Sequence, residues 1–223
     1  MTEAPKIKTP TIGPASTETS NLPTLSNDSQ SILTGIWAGL SRGVADTKHD
    51  WHWPVLATIK NTPSGPNANV RVVVLRAFNP SKRLIAIHSD SRALKIAELT
   101  SHTTDGTNGT NGTNRTASLL FYDNRSRTQL RIQARTTVCI DNPISHAAWA
   151  KLPEHGRTQY LGNEAPGSHL PSQLISGITP HFAVVQLTIE SLDWLILARE
   201  GHQRMHFSWD DQTKICTATA LVP

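Results

Sequence analysis

Side chains able to bind an anion are concentrated in residues 88–95, which read HSDSRALK. A strand-like apolar alternation precedes this segment and a helical pattern follows it. Its Ser and Asp side chains can cap a helix, because they accept hydrogen bonds from the free backbone N–H groups of a first helical turn. The same N–H groups, together with Arg92 and Lys95, could instead bind a phosphate. The segment alone leaves both interpretations open, and the cap is the commoner of the two.

Basic and amide side chains recur on two strand-like segments elsewhere. The run RVVVLR places Arg71 and Arg76 at its two ends, and their spacing puts the two side chains on opposite faces of a strand. The run TQLRI places Gln129 and Arg131 on one face. Each segment by itself is typical of a solvated strand. In chain order, however, they give a basic strand, an anion-binding turn and a Gln-bearing strand.

The sequence lacks the residue patterns of several common nucleotide-binding, catalytic and metal-binding sites. The chain has no Gly-rich dinucleotide or P-loop motif, no HExxH and no GxSxG. Its closest histidine pairs, His49/His52 and His202/His206, come without the ligand set that a metal site needs. The two cysteines, Cys139 and Cys216, are far apart, so they indicate neither a zinc site nor a disulfide framework. The sequence therefore predicts no metal.

The distribution of charge and hydropathy argues against nucleic acid and a membrane as partners. The net charge is +4, but the basic residues are scattered without a Lys/Arg block, so nucleic-acid binding is a weak alternative. No apolar run approaches the roughly 20 residues that span a bilayer. The N-terminus lacks the apolar core of a secretory signal. These features predict a cytoplasmic protein without a membrane segment.

The elements that must position these side chains are mostly strands. We expect residues 1–28, rich in Pro, Ser and Thr, to form a disordered tail, and residues 29–223 to form one domain. Within that domain, a Gly-Thr-Asn repeat at 102–116 predicts a mobile loop. An early helix carries an apolar face of Ile32, Ile36, Trp37 and Leu40. Seven or eight strands with few helices predict a mainly β fold, a closed or nearly closed antiparallel barrel.

Three motifs in this order resemble the pyridoxamine 5′-phosphate oxidase-like family of FMN-binding split barrels. They are Arg71-Val-Val-Val-Leu-Arg76, Ser89-Asp90-x-Arg92-x-x-Lys95 and Arg127-x-Gln129-x-Arg131. The corresponding motifs of one family branch read RxVVxRGF, TDxRSxK and RExxR. The likeness extends from the first helix to the C-terminal ALVP, apart from the tail and the 102–116 loop. It implies a split β-barrel of antiparallel Greek-key type with peripheral helices.

The resemblance also implies a homodimer with FMN bound between the subunits. By position, the residues that would bind FMN are Arg71, Val72, Val73, Leu75, Arg76, His88, Ser89, Arg92, Lys95, Gln129 and Trp194. The phosphate would contact Arg71, Arg92 and Lys95. Gln129 would hydrogen-bond the ring, and Trp194 would approach it from the second subunit. The substrate would contact Arg76, Arg204 and His206. Arg92 is expected to be an unpaired surface arginine whose loss barely changes stability.

Such a cofactor implies an oxidoreductase that transfers hydride between flavin N5 and a small amine, imine or conjugated substrate, with oxygen or NAD(P)H closing the cycle. A flavin-binding or flavin-free split barrel without redox turnover, serving as a ligand carrier or interaction module, is the first alternative. A binder of nucleic acid or another anion is the second. The chain departs from the family where Ala93 replaces a serine, and where Arg204-Met-His206-Phe207 stands for Arg-Leu-His-Asp-Arg-Phe.

Overall fold

The computed structural model describes residues 25–100, 115–170, 177–199 and 201–223. Most of the predicted 1–28 tail and of the predicted 102–116 loop lies outside these residues. The first helix begins at Asn27, because the side chain of Ser26 accepts a hydrogen bond from the backbone N–H of Ser29. The end of the 1–28 segment is thus helical.

The described residues form nine strands and four α-helices. The helices are α1 (Asn27–Ala45), α2 (Leu94–Thr100), α3 (Pro143–Lys151) and α4 (Glu154–Arg157). Short 3₁₀ helices cover Asp50–His52 and Thr158–Tyr160. The strands are β1 (Val55–Thr62), β2 (Gly65–Val72), β3 (Ala77–Asn79), β4 (Leu84–Asp90), β5 (Arg115–Asp123), β6 (Thr128–Ile140), β7 (Phe182–Ile196), β8 (Gln203–Trp209) and β9 (Cys216–Leu221). None of these helices is long and apolar enough to cross a membrane.

The strands form one antiparallel sheet that branches at β7. Its main order is β2-β1-β5-β6-β7-β4-β3, and β8 and β9 extend from the second half of β7. The first half of β7, residues 182–188, pairs with β4, whereas residues 191–196 pair with β8. The mainly β, split architecture predicted from the sequence is confirmed.

The sheet is not closed, which differs from the closed or nearly closed barrel predicted from the strand count. The run VRVVVLRAF, which reads as one strand, breaks after Val72. The backbone N–H groups of Val73 and Leu75 donate to the carbonyls of Pro54 and His52, and that of Arg76 donates to Ala86. Residues 73–76 therefore cross from one end of the sheet to the other as a connection, and no ladder joins β2 to β3 in the described residues.

The inner face of the sheet carries the main core. Strand residues such as Leu56, Leu119 and Ile132 are almost completely buried there, and α1 packs on them through Ile36 and Leu40. The predicted apolar face of α1 is confirmed, since Ile32 and Trp37 also pack against this core. A Cβ at Gly39 would lie 2.4 Å from the Trp51 ring, so glycine there allows the helix to approach.

The outer face is covered over only part of its area. Beside β4 and the first half of β7, α3 and the residues after it cover a second cluster of Cys139, Tyr160, Phe182 and Val184. Beside β1, β2 and β5, large apolar side chains remain exposed. We call this surface the bare face; it comprises Val70, Val72, Leu120 and Tyr122, of which Val70 is 63% exposed.

Candidate functional site

The strand-to-helix turn is capped by Asp90, the last residue of β4. Its Oδ1 accepts a hydrogen bond from the backbone N–H of Arg92 at 2.8 Å, and its carbonyl accepts one from Ala93 at 3.1 Å. Helix α2 follows but has only seven residues. The turn therefore has the local geometry of a cap, one of the two interpretations that the sequence leaves open.

Arg92 holds this turn to a distant loop. Its guanidinium donates to Asp90 through Nε at 3.1 Å and through Nη2 at 2.8 Å. It also donates to the carbonyls of Gly162, Asn163 and Glu164 at 2.8–3.0 Å. The hydrogen bond to Asp90 raises the pKa of Arg92. Arg92 is thus not the unpaired surface arginine that the sequence suggests, because its side chain joins two segments some 70 residues apart.

Arg71 forms a nearly buried ion pair under α2. Its Nη2 lies 2.9 Å from Oε2 of Glu98, whose side chain is 3% exposed. Glu98 also accepts hydrogen bonds from Thr58 at 2.5 Å and Asn69 at 2.7 Å, and Arg71 donates to the Thr58 hydroxyl. Burial alone would raise the pKa of Glu98, but these hydrogen bonds and the charge of Arg71 hold the pKa below its usual range. Glu98 is thus held as a carboxylate.

Lys95 lies between these two pairs without a carboxylate of its own. Its Nζ donates to the Ser89 hydroxyl at 3.0 Å, and no ion pair involves it in the part of the chain described. Burial, followed by the positive charge of Arg71, lowers the pKa of Lys95. Arg71, Arg92 and Lys95 thus come together around α2, as the sequence predicts. We call this group, with Asp90 and Glu98, the α2 corner; it has three cations and two carboxylates.

Arg76 and His88 lie on the other face of the sheet, beside a cleft of about 780 Å³ between α3 and strands β3, β4 and β7. We call it the helix cleft. Its lining is mostly apolar, with Arg76, His88, Lys151, Asn79 and Gln186 as the polar side chains. The prediction that Arg71 and Arg76 point to opposite faces is confirmed.

Two polar groups of the helix cleft, the Arg76 guanidinium and the Nδ1 atom of His88, lack protein partners in the described chain. Arg76 is exposed, and its guanidinium forms no hydrogen bond or ion pair within the described ranges. The Nδ1 atom of His88 is buried without a hydrogen-bond partner. Burial, followed by the charge of Arg76, lowers the pKa of His88 to about 4, so this ring is neutral at physiological pH. His88 packs edge-on against Phe182 with ring centroids 4.9 Å apart. This region offers an uncompensated cation beside an apolar wall.

Gln129 and Trp194 are not brought to the same face. Gln129 pairs with Leu195 across the ladder, on the outer side. Trp194 pairs with Leu130, which is fully buried, so its ring points inward and packs against the main core. Within this chain, the structure therefore separates these two predicted flavin contacts.

The predicted substrate residues Arg204 and His206 lie on β8. Both oxygens of Asp193 accept hydrogen bonds from Arg204, at 2.7 and 3.0 Å, and Oδ2 also accepts one from Arg131 at 2.5 Å. Burial alone would raise the pKa of Asp193, but these two arginines hold the pKa below its usual range. His206 stands opposite Asp193 in the ladder. Arg204 is thus already paired with a carboxylate of the same chain.

Two acidic residues that pair with predicted site arginines, Glu98 and Asp193, are not predicted from the sequence. Glu98 lies one helical turn after Lys95, but its partner Arg71 is 27 residues away. Asp193 lies 62 residues from Arg131. Neither pairing has a local signal, because only the sheet and α2 bring the partners together. Within the described ranges, no group of three or more His, Cys, Asp or Glu residues could hold a metal ion.

Comparison with known proteins agrees with this architecture. Residues 36–140 match the family model of the pyridoxamine 5′-phosphate oxidase FMN-binding domain. A pyridoxamine 5′-phosphate oxidase-related, FMN-binding protein from Nostoc punctiforme PCC 73102 is similar, with 21% identity and a TM-score of 0.66 over 85% of this chain and 96% of that one. No curated protein sequence matches the chain.

A second solved structure has the same fold. It is PhzG from Burkholderia lata 383 in complex with tetrahydrophenazine-1-carboxylic acid, with 16% identity and a TM-score of 0.62 over 86% of this chain and 92% of that one. The motifs around Arg71, Arg92 and Gln129 all lie within the segment that the family model matches. Residues 36–140 therefore match the FMN-binding domain of the pyridoxamine 5′-phosphate oxidase family, and they form part of a split antiparallel sheet that extends to Leu221.

Proposed function

We propose that the protein is an FMN-dependent oxidoreductase that acts on a small, conjugated, anionic substrate. The observation that carries the proposal is the uncompensated Lys95 in the segment that matches the FMN-binding domain. A phosphate dianion requires more cationic than anionic protein groups around it, and the α2 corner has that excess.

The phosphate of FMN would be held at the α2 corner. Lys95 and the Ser89 hydroxyl already form a hydrogen-bonded pair that a phosphate oxygen can join. Arg71 would contribute long-range charge while it remains paired with Glu98. Arg92 would keep the turn in shape through Asp90 and, as the family motif implies, could add a donor if it left its carbonyl partners.

The flavin ring needs amide hydrogen bonds and apolar walls. Gln129 on the outer face is suited to the first role, and the bare face, including Val72 and Tyr122, to the second. Several exposed apolar side chains on one sheet face mark an interaction surface. We propose that a second copy of the chain covers the bare face, so that FMN is enclosed at a homodimer interface.

Bound FMN would supply reversible hydride acceptance at N5. Arg76 would bind an anionic group of the substrate, because it has no carboxylate partner in the described chain. His88 would stay neutral, and its unpartnered Nδ1 would hydrogen-bond the ligand. The structure of PhzG contains a ring compound with a carboxylate. The helix cleft would suit a ligand of this kind, with an apolar wall for the ring and the Arg76 cation for the carboxylate.

Titration with FMN and riboflavin tests the cofactor assignment. The purified protein should show flavin absorbance, or acquire it when FMN is added. Lys95→Met should weaken FMN binding about tenfold to a hundredfold, since a charge-assisted contact contributes about 1.5–3 kcal/mol. Riboflavin, which lacks the phosphate, should bind both proteins equally. Lys48→Met, an exposed lysine outside the site, is the matched control. Equal loss of both ligands in Lys95→Met would refute the phosphate role.

A flavin carrier without turnover is the second candidate. It is favoured by Arg204, which the sequence assigns to substrate but which is bound to Asp193. The redox state of the bound flavin distinguishes the two functions. In the oxidoreductase, enzyme-bound flavin is reduced anaerobically by substrate and reoxidised by an added acceptor. A carrier would release FMN to an acceptor protein without a change in its redox state.

A further inference from the structure

The sheet opens at β7, where this strand changes partners. Ile189 and Glu190 pair with neither β4 nor β8. Arg83 covers the opening from the β4 side: its carbonyl accepts the Ile189 N–H at 2.8 Å, and its Nη1 donates to the Ile189 carbonyl at 2.9 Å. Beside it lies a cleft of about 580 Å³, which we call the split cleft. Its volume falls in the range of about 300–1,000 Å³ that is usual for small-molecule sites.

Cations exceed carboxylates in the split cleft. Four basic side chains line it: Lys82, Arg83, Arg135 and Lys214. Asp211 is shared, at 2.7 Å from Nη2 of Arg135 and 3.5 Å from Nη2 of Arg83. Glu190 lies 3.6 Å from Arg135. The neighbouring Asp210 is turned to its own hairpin, where it accepts the backbone N–H groups of residues 212 and 213.

The ammonium groups of the two lysines of the split cleft have no direct partner among the described residues, although the charge of Lys214 also acts on Asp210 and Asp211. Lys82 and Lys214 are exposed, and within the described chain neither ammonium group forms a hydrogen bond or an ion pair. They lie on the β3–β4 turn and the β8–β9 hairpin, on the two sides of the opening. An anion between them would gain charge-assisted hydrogen bonds from both sides.

Aromatic residues make one wall of the cleft rigid. Trp209 stacks on Trp37 with centroids 5.9 Å apart, and the Arg83 guanidinium lies 5.2 Å from the centroid of the Trp209 ring. Trp209 is therefore already in contact with a ring and a cation. The cleft would select a ligand by its charge rather than by ring stacking.

From these observations we infer that the split cleft binds a compact phosphate-bearing anion, of the size and charge of a diphosphate group, at a site separate from that of FMN. None of the residues proposed to hold FMN lines this cleft. The inference does not depend on the proposed redox function, because its cations belong to the β3–β4 turn, β6 and the β8–β9 hairpin.

Titration of the full-length protein with inorganic pyrophosphate tests the site, with tryptophan fluorescence as the readout because Trp37 and Trp209 line the cleft. The variant Lys82→Ala/Lys214→Ala should bind pyrophosphate at least tenfold more weakly. The control Lys48→Ala/Lys60→Ala removes the same charge from exposed positions elsewhere and should bind as the unaltered protein does. Thermal unfolding should be unchanged in both variants.

The inference would be overturned if pyrophosphate showed no saturable binding to the unaltered protein at millimolar concentration, or if both double variants lost affinity equally. A fall in FMN affinity in the Lys82→Ala/Lys214→Ala variant would also overturn it, because the anion would then lie in the flavin site. ADP serves as a second test ligand, and we expect it to bind with an affinity similar to that of pyrophosphate. A hundredfold preference for ADP would contradict recognition by charge alone.

Discussion

The α2 corner and the helix cleft use arginine in opposite ways. In the α2 corner, Arg71 and Arg92 each bind a carboxylate of this chain, at 2.9 and 2.8 Å. In the helix cleft, Arg76 has no such partner, and the nearby His88 leaves a ring nitrogen unsatisfied. These three arginines and His88 all lie within the segment that matches the FMN-binding domain. Their side chains look equivalent in sequence, but only one set is compensated by the protein.

This difference separates structural cations from those available to a ligand. Removing one partner of a buried ion pair leaves an uncompensated charge, which costs much more than the pair itself contributes. An unpaired, exposed arginine supports little structure and can give its full charge to a ligand. We therefore expect changes in the ion pairs of the α2 corner to act mainly on stability, and changes in Lys95 or in the helix cleft to act mainly on binding.

The largest effect is expected from Glu98→Ala. This change leaves Arg71 and two hydrogen-bond donors without their acceptor, so the free energy of unfolding should fall by about 3 kcal/mol, at the lower end of the range for a broken buried pair. Urea unfolding of the flavin-free protein measures it. Arg76→Ala is the matched control and should change stability by less than about 0.5 kcal/mol. Similar losses in the two variants would remove the distinction between the regions.

Arg92→Ala should have the next largest effect. Without the guanidinium, Asp90 and the carbonyls of residues 162–164 lose their donor, and stability should fall by about 2 kcal/mol, in the range for hydrogen bonds to charged groups. Urea unfolding of Arg92→Ala, Asp90→Ala and the double variant measures how much of the loss the pair shares. Unchanged stability in Arg92→Ala would restore the interpretation of an unpaired surface arginine.

A smaller effect is expected from pH through His88. Its folded pKa of about 4 lies below the unfolded value of 6.5, so the unfolded chain binds a proton that the folded protein excludes. Stability is therefore complete above pH 6.5 and decreases as the pH falls from 6.5 towards 4. The loss should reach about 1–2 kcal/mol, because partial exposure screens part of the roughly 1.4 kcal/mol per pKa unit.

Thermal unfolding between pH 4 and 7 measures this dependence. His88→Leu should flatten the profile across that window. Arg76→Ala should reduce its slope, because the charge of Arg76 contributes to the lowered pKa of His88. An equal slope in His88→Leu and the unaltered protein would assign the acid sensitivity to other groups.

The sequence by itself determined the features that depend on near neighbours. The apolar period of α1, the alternation of the strands and the Asp90 cap all arise within one or two turns of chain. The three motifs were also sufficient for the family, since the family model matches residues 36–140. What these patterns could not determine is which residues meet across the sheet.

Only the tertiary structure decided the strand breaks and the pairing of charges. The apolar run through Val73 breaks because its backbone donates to residues 52 and 54 and to Ala86 rather than to one ladder. Residues 182–196 form the single strand β7 although it changes partners from β4 to β8, because β6 pairs along residues 183–196. Glu98 forms an ion pair with Arg71, and Asp193 forms one with Arg204, and in each pair the two residues belong to different helices or strands. Whether a charged side chain is paired depends on residues that the fold brings close to it. Because these residues are distant in the sequence, the neighbouring residues do not predict the pairing.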